Sequence, residues 1–245
     1  MSGFVPSSLA EHDLLAAVDH VIEEVLRRHA LASPPVDANL LLAQEGEKVL
    51  PKRRVRDSKE SNGGSMGDSA ELERQRAAAL ALGKSLNTKI LNQARIGPRE
   101  RSSEAEAQLA GLFATRLLMP TSWFQEDVRR LGYNLPRLHA RYATASIASV
   151  AWRLLDLNEP AVVTIFDNNH IVDRRSNLAN SEGTPEIDAA ERAAQAYAHQ
   201  FSRARLEHSP ALTARAWPLH RADWRREIVV ARLDDVSFDI DDCQD

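Results

Sequence analysis

Apolar residues recur at helical spacing near the start of the chain. Leu14, Val18, Val21, Ile22 and Val25 fall on one face, which predicts an amphipathic helix. Ser8 and Glu11 stand at capping-box spacing before it, and Ser33-Pro34-Pro35 ends it. Asp37 is placed to cap a short helix over Ala38 to Gln44, which Gly46 would close. Val49 and Leu50 could open a strand. Residues 51–70 are charged and rich in Ser and Gly, with almost nothing to bury, so they are expected to form a flexible loop. A third helix, capped by Asp68 or Ser69, is predicted from Ala70 to Leu91, with Leu72, Ala79, Leu86 and Ile90 in its stripe.

Gly97-Pro98 breaks the pattern. A fourth helix runs over 103–119 on an apolar face of Ala110, Phe113, Leu117 and Leu118, and Pro120 ends it. Ser122 and Gln125 mark a short fifth helix that Gly132 closes, and helices over 136–142 and 146–157 follow. Ala161 to Phe166 reads as a strand, Asp167-Asn168-Asn169 as its turn and Ile171 to Arg174 as the returning strand, a hairpin over 161–175. Thr184-Pro185-Glu186 starts a helix reaching Arg205, and Trp217-Pro218 breaks the chain. Ile228 to Val230 and Val236 to Ile240 could each add a strand.

Composition narrows the function classes. A 245-residue chain with 43% hydrophobic residues can bury a substantial core. A net charge of -4 gives no electrostatic reason to expect nucleic acid or an anionic membrane as partner. The single cysteine, Cys243, excludes a disulfide framework and a cysteine-rich metal site, and in its acidic, terminal setting it is a poor nucleophile. The first residues lack the pattern of a secretory leader, and no run of about 18 apolar residues predicts a membrane span. A cytoplasmic protein is expected.

Three segments carry a family resemblance. Pro34-Pro35-Val36-Asp37 with Leu42-Ala43 and Gly46 is similar to a "P-x-x-V-D-x-x-x-L-A-x-x-x-G" opening. Phe113-Ala114-Thr115-Arg116-Leu117-Leu118-Met119-Pro120 is similar to "F-A-x-x-L-L-M-P", the most specific of the three. Ser146 to Leu157 resembles the "S-x-x-A-x-x-x-R-L-x-x-L" helix that follows it. Together these resemble the ImmA/IrrE-type metallopeptidases. The resemblance implies a zincin-like core in which a His-Glu-x-x-His helix precedes the "F-A-x-x-L-L-M-P" helix. In that pattern two histidines one turn apart bind zinc, the glutamate activates a water, and the next helix brings a third, carboxylate ligand.

At the matching positions here stand Leu80, Ala81, Gly83 and Lys84. Only the glycine survives. A hydrocarbon, a methyl group and an ammonium can neither ligate zinc nor relay a proton. Of the eight histidines no two are four residues apart, and none lies in the third helix. Glu106 is the nearest approach to the third ligand, and its spacing from Ser103 also suits a capping box. Phe113, Leu117, Leu118, Met119 and Pro120 form the expected family-signature core.

Two other clusters invite a function. The helices over 136–142 and 146–157 have helix-turn-helix-like spacing, but the second offers only Arg153 as a cation. Trp217, Trp224, Arg225 and Arg226 could form a contact surface, or tryptophans on a core with arginines in water. The sequence thus predicts a mostly helical α+β protein with a degenerate zincin-like core over 1–135, and a helix and β-hairpin region over 136–245. The implied function is a regulatory, protein-binding relative of the ImmA/IrrE peptidases, without catalytic residues, metal ligands or cofactor. Zinc is expected only if the family site survives in some other form. The implied partner is a protein, a helix-turn-helix transcriptional repressor, with neither a membrane nor direct nucleic-acid binding. Two alternatives stay open in the sequence: an active zinc endopeptidase with non-standard ligands, and a structural or assembly component.

Overall fold

The computed structural model describes residues 8–45, 66–97, 102–178, 185–221 and 224–233. The side chains of Ser8 and Glu11, Gly46, the strands at 49–50 and 236–240, loop residues 51–65 and Cys243 fall outside what is described. By its contacts the chain divides into two compact units, Met1–Val150 and Ala151–Asp245; the sequence places its boundary earlier, at 135. The fold is α+β and mostly helical, with a five-stranded antiparallel sheet.

The first unit is helical. It contains α1 (Ser8–Arg28), α2 (Ala38–Gln44), α3 (Met66–Gln93), α4 (Ser103–Leu118), α5 (Thr121–Leu131), α6 (Leu135–Arg141) and the start of α7 (Ile147–Arg153). The stripe of α1 is buried as its spacing predicts, with Val18, Val21, Ile22 and Val25 in the core. Asp37 caps α2, its carboxylate accepting from the Leu40 N–H at 3.1 Å. Gln75 then fastens α2 to α3: its Oε1 accepts from the Ala38 N–H at 2.8 Å and its Nε2 donates to Asp37 at 3.0 Å. A buried backbone donor and a buried side-chain amide are thereby both satisfied.

At three helices of the first unit the capping differs from the sequence reading. Helix α3 begins at Met66, so 66–70 are helical, and Asp68 and Ser69 lie inside the element they were expected to cap. The strong helix formers from Ala70 onward carry the first turn with them. At α4 the cap is Ser102, whose hydroxyl accepts from the Ala105 N–H at 3.1 Å. Its third helical residue is therefore Ala105, and no Ser103–Glu106 box forms. Helix α5 starts behind Pro120 without a side-chain cap, so Ser122 plays no such part, although Gly132 closes the helix at φ 63° as expected.

The second unit holds the end of α7, a 3-10 turn at Leu154–Asp156, and strands β1 (Ala161–Asp167), β2 (His170–Ser176), β3 (Arg205–His208), β4 (Leu212–Pro218) and β5 (Arg226–Leu233), with α8 (Ala189–Phe201) between β2 and β3. The strand order is β2-β1-β5-β4-β3, and every pairing is antiparallel. Asn168 and Asn169 make the β1–β2 turn at φ 47° and 69°, left-handed values that asparagine tolerates. Helix α8 covers one face of the sheet. Its Ala190, Ala194 and Ala198 meet Val162, Phe166, Ala214, Ala216, Val229 and Ala231, and the small side chains let the helix lie close.

Helix α8 starts at Ala189 rather than near Thr184. Asp188 and Glu191 form the capping box there. The helix ends at Phe201, because β3 and β4 occupy the stretch that the sequence assigns to its last turns and to a break.

Candidate functional site

In the first unit, α3 and α4 pack along a long seam. Gly83 is buried at its centre. A Cβ there would stand 3.0 Å from the Ala110 carbonyl oxygen and 3.1 Å from the Phe113 ring. The glycine is needed because the two backbones approach too closely for a side chain. Asn87, one turn on, donates from Nδ2 to the Glu106 carbonyl at 3.0 Å, while its buried Oδ1 has no hydrogen-bond partner.

The other positions matching the family motif lie around this glycine. Leu80 and Ala81 are half-buried, and Lys84 is exposed. Glu106 is exposed at the N-terminal end of α4, where its N–H bonds the Ser102 carbonyl. Phe113, Leu117, Leu118 and Met119 are buried, and so is Pro120. Leu80, Ala81 and Lys84 supply no zinc-binding atom, so these residues do not fit the zinc that the family resemblance implies.

Elsewhere in this unit, buried polar groups knit helices together. Asp19 on α1 accepts from Arg116 at 2.6 Å and from Thr121 at 2.8 Å. Asp127, 3% exposed, accepts from Arg130 at 2.7 Å, from Arg141 at 3.1 Å and from the Tyr142 hydroxyl at 2.9 Å. Asp127, Arg130 and Arg141 line a small pocket with Ser33 and Trp123. Its two guanidinium groups are already engaged by Asp127.

The second unit brings together residues that no sequence spacing singled out. Glu227 on β5 is fully buried and points to the α8 side of the sheet. Its Oε1 lies 2.9 Å from His199 Nδ1 on α8 and 2.5 Å from His220 Nε2, two residues past β4. Gln195 Nε2 lies 3.3 Å from Glu227 Oε2 and donates to Asn169 Oδ1 at 2.9 Å. His220 Nδ1 lies 2.9 Å from the Ser202 hydroxyl. The three groups are 28 and 7 residues apart along the chain. Only the sheet register, with Glu227 opposite Pro218 and Phe166, closes that distance.

Further along the same face sits a second buried carboxylate. Glu191, also fully buried, makes a two-pronged ion pair with Arg174 at 2.7 and 2.9 Å. Arg174 also bonds the Thr164 hydroxyl and the Pro185 carbonyl.

The two clusters weighed from sequence turn out as follows. Arg153, the lone cation of the second helix in the helix-turn-helix-like pair, has a side chain 1% exposed and pairs with Asp156. Trp217 is buried. Arg226 lies 4.4 Å from the Trp224 ring and forks onto Asp167 at 2.6 Å through both prongs. Arg225 donates to the His199 carbonyl at 2.8 Å.

No protein-family model and no curated protein matches the chain. A transcriptional regulator of Mycobacterium tuberculosis is similar in structure. Its TM-score is 0.59 at 16% identity, over 91% of this chain and 76% of that one. At that identity the likeness shows a shared fold alone. No helix among the described residues is long and apolar enough to cross a membrane.

Proposed function

We propose that this chain is a regulatory protein-binding module of ImmA/IrrE type that has lost peptidase chemistry, and that it holds a helix-turn-helix repressor without cutting it. The observation that carries the reading is the α3–α4 seam. The surviving motif glycine is packed against Ala110 and Phe113, while Leu80, Ala81 and Lys84 hold the positions where ligands and base belong. A metallopeptidase needs a Lewis acid to polarise the scissile carbonyl and a base to activate water. Leucine and alanine side chains offer neither, and an exposed lysine ammonium is a donor only. The retained signature of Phe113 to Pro120 supports a core kept for packing after the chemistry was lost. The similarity in fold to a chain described as a transcriptional regulator supports a regulatory setting.

The test pairs the full chain with repressors encoded beside its gene, with and without added zinc, followed by size-exclusion chromatography and gel analysis. One repressor should co-elute and remain uncut in both conditions. Zinc-dependent cleavage would overturn the inactive reading. Failure of every neighbouring repressor to co-elute would overturn the assignment of the partner.

A further inference from the structure

The buried carboxylates Glu191 and Glu227 lie on the same side of one sheet, and the fold treats them differently. Glu191 receives an arginine. Glu227, equally buried, has two imidazoles as its only ion-pair partners among the described residues. A carboxylate removed from water requires a compensating charge or coordination. Its partners are imidazoles, which are also common metal ligands.

We propose that His199, His220 and Glu227 form a binding site for a divalent transition-metal cation of the zinc class. The candidate donor atoms, His199 Nδ1, His220 Nε2 and a Glu227 carboxylate oxygen, lie within 4.8 Å of one another. Donors about 2.0–2.2 Å from a tetrahedral ion stand roughly 3.3 Å apart, so closure needs only small side-chain shifts. Two imidazoles and one carboxylate form a borderline donor set suited to zinc. The histidine side chains are 28% and 13% exposed, which leaves an open side where water completes the shell.

The surroundings fit that assignment. With His220 bound through Nε2, its Nδ1–H donates to the Ser202 hydroxyl, 2.9 Å away. Such a partner fixes the tautomer and the ring plane of a metal-ligating histidine. Ser202 is itself fixed as the left-handed cap of α8, at φ 53°. Gln195 holds the second oxygen of Glu227 and is braced by Asn169. Two of the three ligands are thus oriented from behind by uncharged groups. The ion would tie the C-terminal end of α8 to β5 and to the segment after β4. This site lies in the second unit and does not rest on the regulatory reading above.

The test strips the full chain with a chelator and titrates Zn2+ against a chromophoric competitor. About one equivalent should bind with a Kd in the micromolar range or tighter. His199→Ala and His220→Ala should each weaken binding by about 100-fold or more, and Ser202→Ala by about 10-fold. Circular dichroism should show these variants folded, because both rings are partly exposed. X-ray absorption at the zinc edge should show nitrogen and oxygen neighbours only. Lys84→Ala, in the lost motif, should leave the affinity unchanged. Absence of binding, binding insensitive to both histidine variants, or a sulfur neighbour placing the ion at Cys243 would each overturn the site and leave the cluster a hydrogen-bond network.

Discussion

The α3–α4 seam and the sheet face under α8 both exclude water, by opposite means. The seam is closed by hydrocarbon and by close backbone approach: Phe113 and Leu117 are fully buried and Gly83 leaves no room for a Cβ. The sheet face is closed by alanines and aliphatic side chains, yet it admits two fully buried glutamates. The family resemblance places charge chemistry at the seam. In this molecule the seam is packed without a buried carboxylate, whereas the sheet face of the other unit carries two. A hydrocarbon seam in one unit therefore says little about the polar sites of the other.

The sharpest way to break the contrast is to excavate the seam. Phe113→Ala should destabilise the first unit by about 3–5 kcal/mol, from lost transfer energy plus the cavity left behind. Urea unfolding followed by tryptophan fluorescence measures it. A loss under about 1 kcal/mol would mean that the seam collapses around the gap and is less rigidly packed than its geometry indicates.

On the sheet face the corresponding change is electrostatic. Glu191→Ala strands Arg174, whose side chain is only 11% exposed, and removes the carboxylate that caps the Asp188 N–H at 2.9 Å. Breaking a buried pair from one side costs about 3 kcal/mol. Replacing both partners, as in Arg174→Met with Glu191→Met, should recover much of that loss. If the double variant is as unstable as the single one, the pair is held by more than mutual compensation, with Thr164 the first residue to examine.

These two regions were unequally legible in the sequence. The helices of the first unit announce themselves because 3.6-residue periodicity is local: Val18, Val21, Ile22 and Val25 need no knowledge of what they pack against. The β1–β2 hairpin was legible for the same reason, its Asn-Asn turn lying between two apolar runs. Strands β3 and β4 were not. The inward positions of β4 under α8 include Ala214 and Ala216, too small to give a strong alternating signal, and Pro218 reads as a terminator although it ends a strand. The Glu227 cluster was less legible still. A search for histidines four apart finds sites carried by a single helix, whereas His199, His220 and Glu227 come from a helix, a connecting segment and a strand. Residues Leu80 to Lys84 could be found by spacing, but spacing does not reveal that only Gly83 lies deep in the seam.

A smaller effect sharpens the seam side. Gly83→Ala adds a methyl group 3.0 Å from a backbone oxygen that cannot turn away. Overpacking of this kind costs about 1–3 kcal/mol, offset by roughly 0.5–1 kcal/mol of helix propensity gained on leaving glycine. The net expectation is a loss of about 1 kcal/mol in thermal or urea unfolding. A stabilised variant would mean that the helices part without cost and that the close approach is incidental.

The smallest expected effect concerns pH and lies in the helical unit. Burial holds the half-buried His139 on α6 below its ordinary pKa of 6.5, and a hydrogen bond with the Ala145 backbone opposes this in part. A depressed histidine favours the neutral form in the folded state. As pH falls below 6.5 the unfolded chain takes up the proton first, so stability is full above that value and is lost as pH falls through the folded value. The lowered carboxylates of the first unit act in a different window. Glu45 is held below 4.5 chiefly by its hydrogen bond with His29, and Glu71 chiefly by its bond with Arg74, so both matter only in stronger acid. Urea midpoints at about pH 7.5 and pH 5 should therefore converge in His139→Gln relative to the unmodified chain. Histidines at other positions contribute equally to both proteins and cancel. An unchanged difference between the two midpoints would mean that His139 is solvated in the fold, and that the acid sensitivity between those values arises elsewhere.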